Sequence, residues 1–205
     1  MCPKRRVAGL PGFSIVGLPN KAVSEARDRV RSALASMSIA LPSKRITVNL
    51  SPADLPKDGS HFDLPIALAL MAAIGVIAQD ACENTVSLGE LSLDGALVPV
   101  RGALPAAVTA AGSDRLLICP RACGPEAAWV ATAQVIGADS LWDIIQHFNG
   151  QKPIPAAQAG DIEAPIILGD LCDIKGQERG KRALEIAVAG RHHLFLVGTP
   201  GCGKS

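Results

Sequence analysis

Apolar residues recur along this chain at two spacings, and the spacing changes where proline or glycine interrupts the pattern. Between Asn20 and Met37 they recur every three or four residues, which predicts an amphipathic helix, and asparagine is a favoured residue for capping its start. The apolar stripe consists of Ala22, Val23, Ala26, Val30, Ala33, Leu34 and Met37. Short apolar runs at residues 13–17 and 45–50 flank this helix and predict two strands.

A loop at residues 51–59 precedes a second predicted helix. Ser60 and Asp63 have the spacing of a capping box, so we expect Ser60 to accept hydrogen bonds from the first amides and Asp63 to lie in the positive first turn. Pro65 fits the first turn because the amide that proline lacks would have no partner there. The apolar run predicts that this helix ends near Gly75.

The next part of the chain alternates short strands and short helices. Predicted strands cover residues 85–88, 96–98, 115–119 and 134–136. Predicted helices cover residues 104–111, 125–132 and 140–148, the last of them capped by Ser140. This alternation predicts an α/β or α+β domain over residues 1–150.

A second region follows a break in this pattern. Residues 151–165 contain three prolines and no periodicity, which predicts a linker. Residues 166–205 are predicted to begin a further domain, with a helix at 177–189 and a buried strand at 193–197.

Composition limits the classes of partner. Hydrophobic residues make up 48% and aromatic residues 3% of the chain, so alanine, valine, isoleucine and leucine must build the core. The formal net charge of +1 gives no overall attraction to nucleic acid or membrane, so a local patch would have to provide it. The apolar run at 64–78 is shorter than a membrane span, and no signal peptide is apparent. We therefore expect a cytoplasmic protein with no membrane partner.

The six cysteines do not predict a metal site. Cys119 and Cys123 form the one close pair in the sequence, and no second pair lies at the spacing of zinc ligands. We expect these thiols to be reduced, as is usual in a cytosol.

Residues 198–205 match the P-loop pattern G-x-x-x-x-G-K-[ST] at every fixed position. The loop consists of Gly198, Thr199, Pro200, Gly201, Cys202, Gly203, Lys204 and Ser205. In such a loop the glycines let backbone amides converge on phosphates, Lys204 pairs with the β- and γ-phosphates, and Ser205 ligates Mg²⁺. The sequence therefore predicts ATP and Mg²⁺ as cofactors; the alternative is a glycine-rich turn without a ligand.

ATP hydrolysis requires more than this loop. An acidic residue that holds Mg²⁺ and a group that orients water are normally supplied from beyond the P-loop. We therefore expect these 205 residues, taken alone, neither to hydrolyse ATP nor to bind it tightly.

Several longer runs resemble one protein family. They are GLPGFSIVGLP at residues 9–19, RDRVR at 27–31, KRITVNL at 44–50, PADLPK at 52–57 and FDLPIA at 62–67. These runs are similar to the N-terminal domain of the YifB/ComM magnesium-chelatase-like proteins, and DIKGQ at 173–177 is similar to the start of their AAA+ module. The resemblance implies a Lon-protease-like domain of the ribosomal-protein-S5-domain-2 type, followed by the first strand, helix and strand of an AAA+ domain.

The resemblance also implies a function for a longer protein. ComM is a DNA branch-migration helicase of natural transformation, so the implied partners are DNA and further copies of the same chain in a hexameric ring. Gln177, with Ile174 and Gly176, would lie near the adenine of ATP. Two alternatives remain open: a metal-insertion ATPase subunit like that of magnesium chelatase, and an N-terminal domain that serves only protein interaction or ring assembly.

A Lon-like domain raises the possibility of peptidase activity, and the residues argue against it. Aligning residues 56–59 with the corresponding Lon run places His61 at the nucleophile position and Ser60 one position early. Leu104 falls at the position of the catalytic lysine. Without that base a serine hydroxyl is a poor nucleophile, so we expect no protease, and we interpret His61 as a loop histidine.

Basic residues near the N-terminus provide a candidate DNA-binding patch. The patch consists of Arg27, Arg29, Arg31, Lys44 and Arg45. Arg27 and Arg31 lie four residues apart and therefore share a helix face. The alternative is an ordinary solvated face whose charge is balanced by Glu25 and Asp28.

Overall fold

The computed structural model describes residues 12–161 and 169–201. Its residues group into two units, Met1–Asp161 and Ile162–Ser205. In chain order the first unit contains β1 (Gly12–Val16), α1 (Lys21–Ser36), β2 (Arg45–Asn49), α2 (Asp63–Ile74), α3 (Gln79–Glu83), β3 (Thr85–Ser87), β4 (Glu90–Leu91), β5 (Leu97–Val98), α4 (Ala103–Gly112), β6 (Leu116–Pro120), α5 (Gly124–Ala127), β7 (Val135–Ala138) and α6 (Leu141–Phe148). The second unit contains α7 (Glu178–Ala189).

The described strands of the first unit form three small sheets. Strands β1 and β2 are parallel, with Gly12 opposite Arg45. Strand β6 lies between β3 and β7, again in parallel pairing, and β4 pairs with β5 in antiparallel orientation. This mixture of helices and parallel strands confirms the α/β fold class. The S5-domain-2-like fold, the AAA+ strand–helix–strand and the domain boundaries remain predictions.

Helix α1 forms as its sequence predicts. The Asn20 side chain accepts a hydrogen bond from the Val23 amide at 2.9 Å and so caps the helix. Most of the predicted stripe is buried, namely Val23, Ala26, Val30, Ala33 and Leu34. This face belongs to a hydrophobic core that also includes α2, and the inner side chains of β1 and β2 pack against that core.

The capping box predicted at Ser60 is wrong. Ser60 begins a single 3₁₀ turn, and its hydroxyl donates a hydrogen bond to the Glu90 carboxylate instead of accepting one from the helix amides. A carboxylate is a strong, charged acceptor, and it therefore outcompetes the capping arrangement. Asp63 does lie in the first turn of α2, and the helix ends as predicted at Gly75, whose φ of +83° suits glycine.

A buried ion pair connects α1 with α2. Arg29 places Nε 2.6 Å and Nη2 3.0 Å from the two carboxylate oxygens of Asp63, whose side chain is inaccessible to solvent. The Leu91 amide donates to the same carboxylate at 3.1 Å, which ties strand β4 to the pair. The hydrogen bonds with Asp63 raise the pKa of Arg29 above its ordinary value, so the guanidinium stays charged. Three elements from different parts of the chain therefore meet at one carboxylate.

Three of the elements after α2 differ from the prediction. Helix α5 ends at Ala127, well before the predicted end at 132, because the amides of Trp129 and Val130 bond three residues back and tighten the chain into turns. Helix α3 and strand β4 were not predicted, since five residues and two residues are too few to show a period. The predictions for β6, β7 and α6 are confirmed, and Ser140 caps α6 by accepting from the Asp143 amide at 3.2 Å.

Part of the predicted linker at 151–165 is ordered against the first unit. Residues 154–160 make hydrogen bonds to strand β7, helix α6 and helix α5. The structure accordingly divides the chain after Asp161.

In the second unit, α7 confirms the predicted helix at 177–189. The buried strand predicted at 193–197 is wrong: these residues form no strand, and Phe195 is 88% exposed. An apolar strand is stable only when a neighbour satisfies its backbone groups, and none of the described residues of this unit is in a strand. No helix in the described parts of the chain is long and apolar enough to cross a membrane.

We predict that Asp63→Ala destabilises the first unit strongly. The change leaves the Arg29 guanidinium largely buried without its partner, which costs about 3–5 kcal/mol of unfolding free energy. Urea unfolding followed by circular dichroism measures this. The control is Asp28→Ala, which removes an exposed carboxylate paired with Arg27 and leaves the unfolding midpoint unchanged. Equal midpoints for Asp63→Ala and the wild type would contradict a structural role for the pair.

Candidate functional site

The structure describes the first half of the predicted P-loop. Gly198, Thr199, Pro200 and Gly201 follow directly on the exposed apolar segment 194–197. Gly201 has φ of +81°, a left-handed conformation that favours glycine, as a loop that turns back toward a phosphate requires. The remaining residues, Cys202, Gly203, Lys204 and Ser205, lie outside the described residues. Their contacts with phosphate and Mg²⁺ therefore remain predictions from the sequence.

Gln177 lies directly before α7, in the same unit as the P-loop residues. Its φ of +56° is unusual for a residue other than glycine and marks a sharp entry into the helix. Lys181, one turn into α7, holds this entry: its ammonium group donates to the carbonyl oxygen of Ile174 at 3.3 Å and pairs with Glu178 at 2.7 Å. The segment that carries Gln177 is thus fixed against the first turn of α7, and its contact with adenine remains a prediction.

The region aligned with the Lon active site has other contacts. The Ser60 hydroxyl donates to Glu90, and the His61 ring packs on Phe62 with ring centroids 4.3 Å apart. The ammonium group of Lys57 donates to the carbonyl oxygens of Pro52 and Leu55. This lysine is therefore engaged as a donor on the loop backbone.

Leu104 is the second residue of α4, and its aliphatic side chain cannot accept a proton. The serine–lysine geometry that Lon chemistry needs is not assembled by these residues. Within residues 12–161 and 169–201 there is also no cluster of three or more histidine, cysteine, aspartate or glutamate side chains that could hold a metal ion.

The candidate basic patch loses one of its members. The Arg29 side chain is only 19% exposed and is bound to Asp63. Arg27 pairs with Asp28 at 3.1 Å, which offsets its charge. The remaining three, Arg31, Lys44 and Arg45, are exposed. No local pattern in the sequence indicates the position of Arg29, because its partner lies 34 residues away.

Two cysteines lie in the hydrophobic core of the first unit. Cys119 on β6 is inaccessible to solvent and Cys123 is 5% exposed. Burial raises the pKa of Cys119 from 9.0 to about 12, so its thiol stays protonated at neutral pH. The thiolate is the reactive form, so Cys119 is a core side chain and not a nucleophile.

Comparison with known proteins adds the family. The family model described as subunit ChlI of Mg-chelatase matches residues 4–122, and a second model, magnesium chelatase subunit ChlI, matches residues 170–205. The chain is 45% identical over 202 residues to competence protein ComM of Haemophilus influenzae, covering 96% of this chain and 40% of that protein. The chain belongs to the YifB/ComM family.

Further relatives match over a similar length of this chain. An uncharacterized protein YifB of Salmonella typhimurium is 43% identical over 197 residues, covering 96% of this chain and 39% of that protein. An uncharacterized protein of Mycobacterium tuberculosis is 42% identical over 200 residues, covering 97% of this chain and 40% of that protein. The chain spans about two fifths of the length of the curated relatives it matches. Membership in the YifB/ComM family also means membership in an AAA+-like ATPase family.

We predict that native Cys119 resists alkylation. At pH 8 its thiol is protonated and buried, whereas the exposed Cys172 is accessible to reagent. Iodoacetamide treatment followed by peptide mass spectrometry should find Cys172 modified and Cys119 unmodified, and both modified after unfolding in urea. Equal rates at the two cysteines in the folded protein would show that the β6 core is open.

Proposed function

We propose that this chain is the N-terminal part of an ATP-driven AAA+ motor that acts on DNA, in the manner of ComM. The observation that carries the proposal is the complete P-loop pattern at residues 198–205, in a segment that the magnesium chelatase subunit ChlI model matches. Lys204 would neutralise phosphate charge, Ser205 would ligate Mg²⁺, and Gly198, Gly201 and Gly203 would let the backbone approach the phosphates. ATP and Mg²⁺ are the cofactors this assignment requires.

The DNA part of the proposal rests on the relative's name and on charge. Competence, in the name of ComM, concerns the uptake of DNA, and that relative is 45% identical over nearly the whole chain. The exposed Arg31, Lys44 and Arg45 supply local positive charge on a chain whose net charge is only +1. We propose DNA branch migration during natural transformation as the activity of the full-length protein, in the cytoplasm and as a homo-oligomeric, hexameric ring.

A second candidate is an ATPase subunit that drives metal insertion. The descriptions of both matching family models favour it, since each refers to subunit ChlI of magnesium chelatase. The two candidates share the P-loop and differ in the substrate that the motor moves. Stimulation of ATP turnover by branched DNA, measured on the full-length protein, separates them: a DNA motor is stimulated and a metal-insertion subunit is not.

We predict that Lys204→Ala in the full-length protein lowers ATP turnover by on the order of 10²-fold or more. The change removes the positive charge that stabilises the phosphates during transfer. Turnover is measured by phosphate release at saturating Mg²⁺, and Lys21→Ala, which removes an exposed lysine on α1, is the matched control with wild-type turnover. Full activity in Lys204→Ala would remove the motor assignment.

We predict that the double variant Lys44→Ala and Arg45→Ala weakens DNA binding without changing its sequence preference. Loss of two phosphate contacts should reduce the slope of log K against log salt concentration by about 2. Filter binding of full-length protein at several salt concentrations measures the slope. Lys152→Ala, an exposed lysine outside α1 and β2, should leave it unchanged. An unaltered slope in the double variant would assign the patch to ordinary solvated surface.

A further inference from the structure

Residues 154–160, here called the latch, lie along one edge of the sheet formed by β3, β6 and β7. Strand β7 is the last strand of that sheet among the described residues. Ala156 forms an antiparallel bridge with Ile136, and the Ala157 amide donates to the Val135 carbonyl oxygen at 2.8 Å. The latch therefore pairs with backbone groups on the side of β7 that faces no other strand among the described residues.

Both ends of the latch are held by specific hydrogen bonds. At its start, the Ile154 amide donates to Nδ1 of His147 on α6 at 3.0 Å. At its end, the Gly160 amide donates to the Pro125 carbonyl oxygen at 3.1 Å. The Gly160 carbonyl oxygen accepts from Nε1 of Trp129 at 2.8 Å.

The fit between the latch and the surface beneath it is close. A Cβ atom placed on Gly160 would lie 2.9 Å from the Pro125 Cβ, and one placed on Gly124 would lie 3.1 Å from the Ala157 Cβ. Glycine at these two positions lets the backbones approach. An unstructured linker would have no such requirement.

The contacts of the latch are nevertheless few compared with those of a core element. Ile154, Ala157 and Gly160 are half-buried, and the other residues of the segment are exposed. Four hydrogen bonds with little apolar burial offset only part of the conformational entropy lost by seven ordered residues. Segments with this balance open locally while the rest of a domain stays folded.

We propose that the latch docks on and releases from β7 and α5 as one unit, and so sets the length of the tether between the two units of the chain. Released, seven residues add up to about 25 Å of reach. A motor whose domains move against each other needs such a reserve of length. This goes beyond the proposed function, because it concerns the tether whatever substrate the motor moves.

Hydrogen exchange with mass spectrometry on the full-length protein tests the proposal. In the wild type, the peptide that contains the latch should be protected, and less so than the peptide that contains β6. Gly160→Ala forces its methyl group against Pro125 and should speed latch exchange roughly tenfold, about the effect of losing one hydrogen bond. Exchange in β6 should not change.

Two further variants make the test specific. Trp129→Phe removes the donor to Gly160 but keeps an aromatic side chain at this position, so it should also speed latch exchange. Gly169→Ala is the matched control, because nothing lies within 4 Å of its added Cβ, and it should leave the latch unchanged. Exchange of the wild-type latch at unprotected rates would show that it does not dock. Equal acceleration of the latch and β6 in Gly160→Ala would show that the latch does not open independently.

Discussion

The first unit depends on the contact between Arg29 and Asp63. The two residues are 34 positions apart in sequence, and the carboxylate is fully buried. An unpaired charge at this position would cost more than most single contacts contribute, so α1 and the start of α2 can pack only in the register that joins the two side chains. The Arg29 guanidinium also donates to the Ala22 carbonyl oxygen at 2.9 Å, which fixes its orientation on α1.

This contact also fixes the loop between β2 and α2. Because Asp63 must reach Arg29, the chain from Leu50 returns alongside the start of α1. There the Asn20 amide donates to the Lys57 carbonyl oxygen at 3.0 Å, and the Lys57 amide donates to the Leu18 carbonyl oxygen at 3.1 Å. The buried ammonium group of Lys57 then satisfies two loop carbonyl groups. The loop at residues 51–59 is thereby tied to the residues that precede α1. The lysine is a structural donor in this loop.

The elements that the sequence predicts well are those with local causes. Helix α1 has a 16-residue amphipathic pattern and a capping asparagine, and α6 has Ser140 at its start; both need only residues within a few positions. The errors occur where a distant partner decides. Ser60 has the spacing of a helix cap but bonds to Glu90, 30 residues away, and α5 stops early where Trp129 turns toward Gly160. The candidate basic patch included Arg29 for the same reason, since a buried partner 34 residues away leaves no local signal.

The candidate nucleotide site is recognised from adjacent residues, but its geometry depends on other parts of the fold. Its chemical groups are adjacent in sequence, so a short pattern suffices to recognise them, but their arrangement needs a sheet behind them. Phe195 and Val197, directly before the loop, are 88% and 84% exposed, and no strand is found among the described residues of this unit. A P-loop binds phosphate because a paired strand holds its start and a helix dipole lies behind its end. Nucleotide affinity should therefore follow the burial of these two apolar side chains in a paired strand, so that folding of the second unit and binding of nucleotide would stabilise each other.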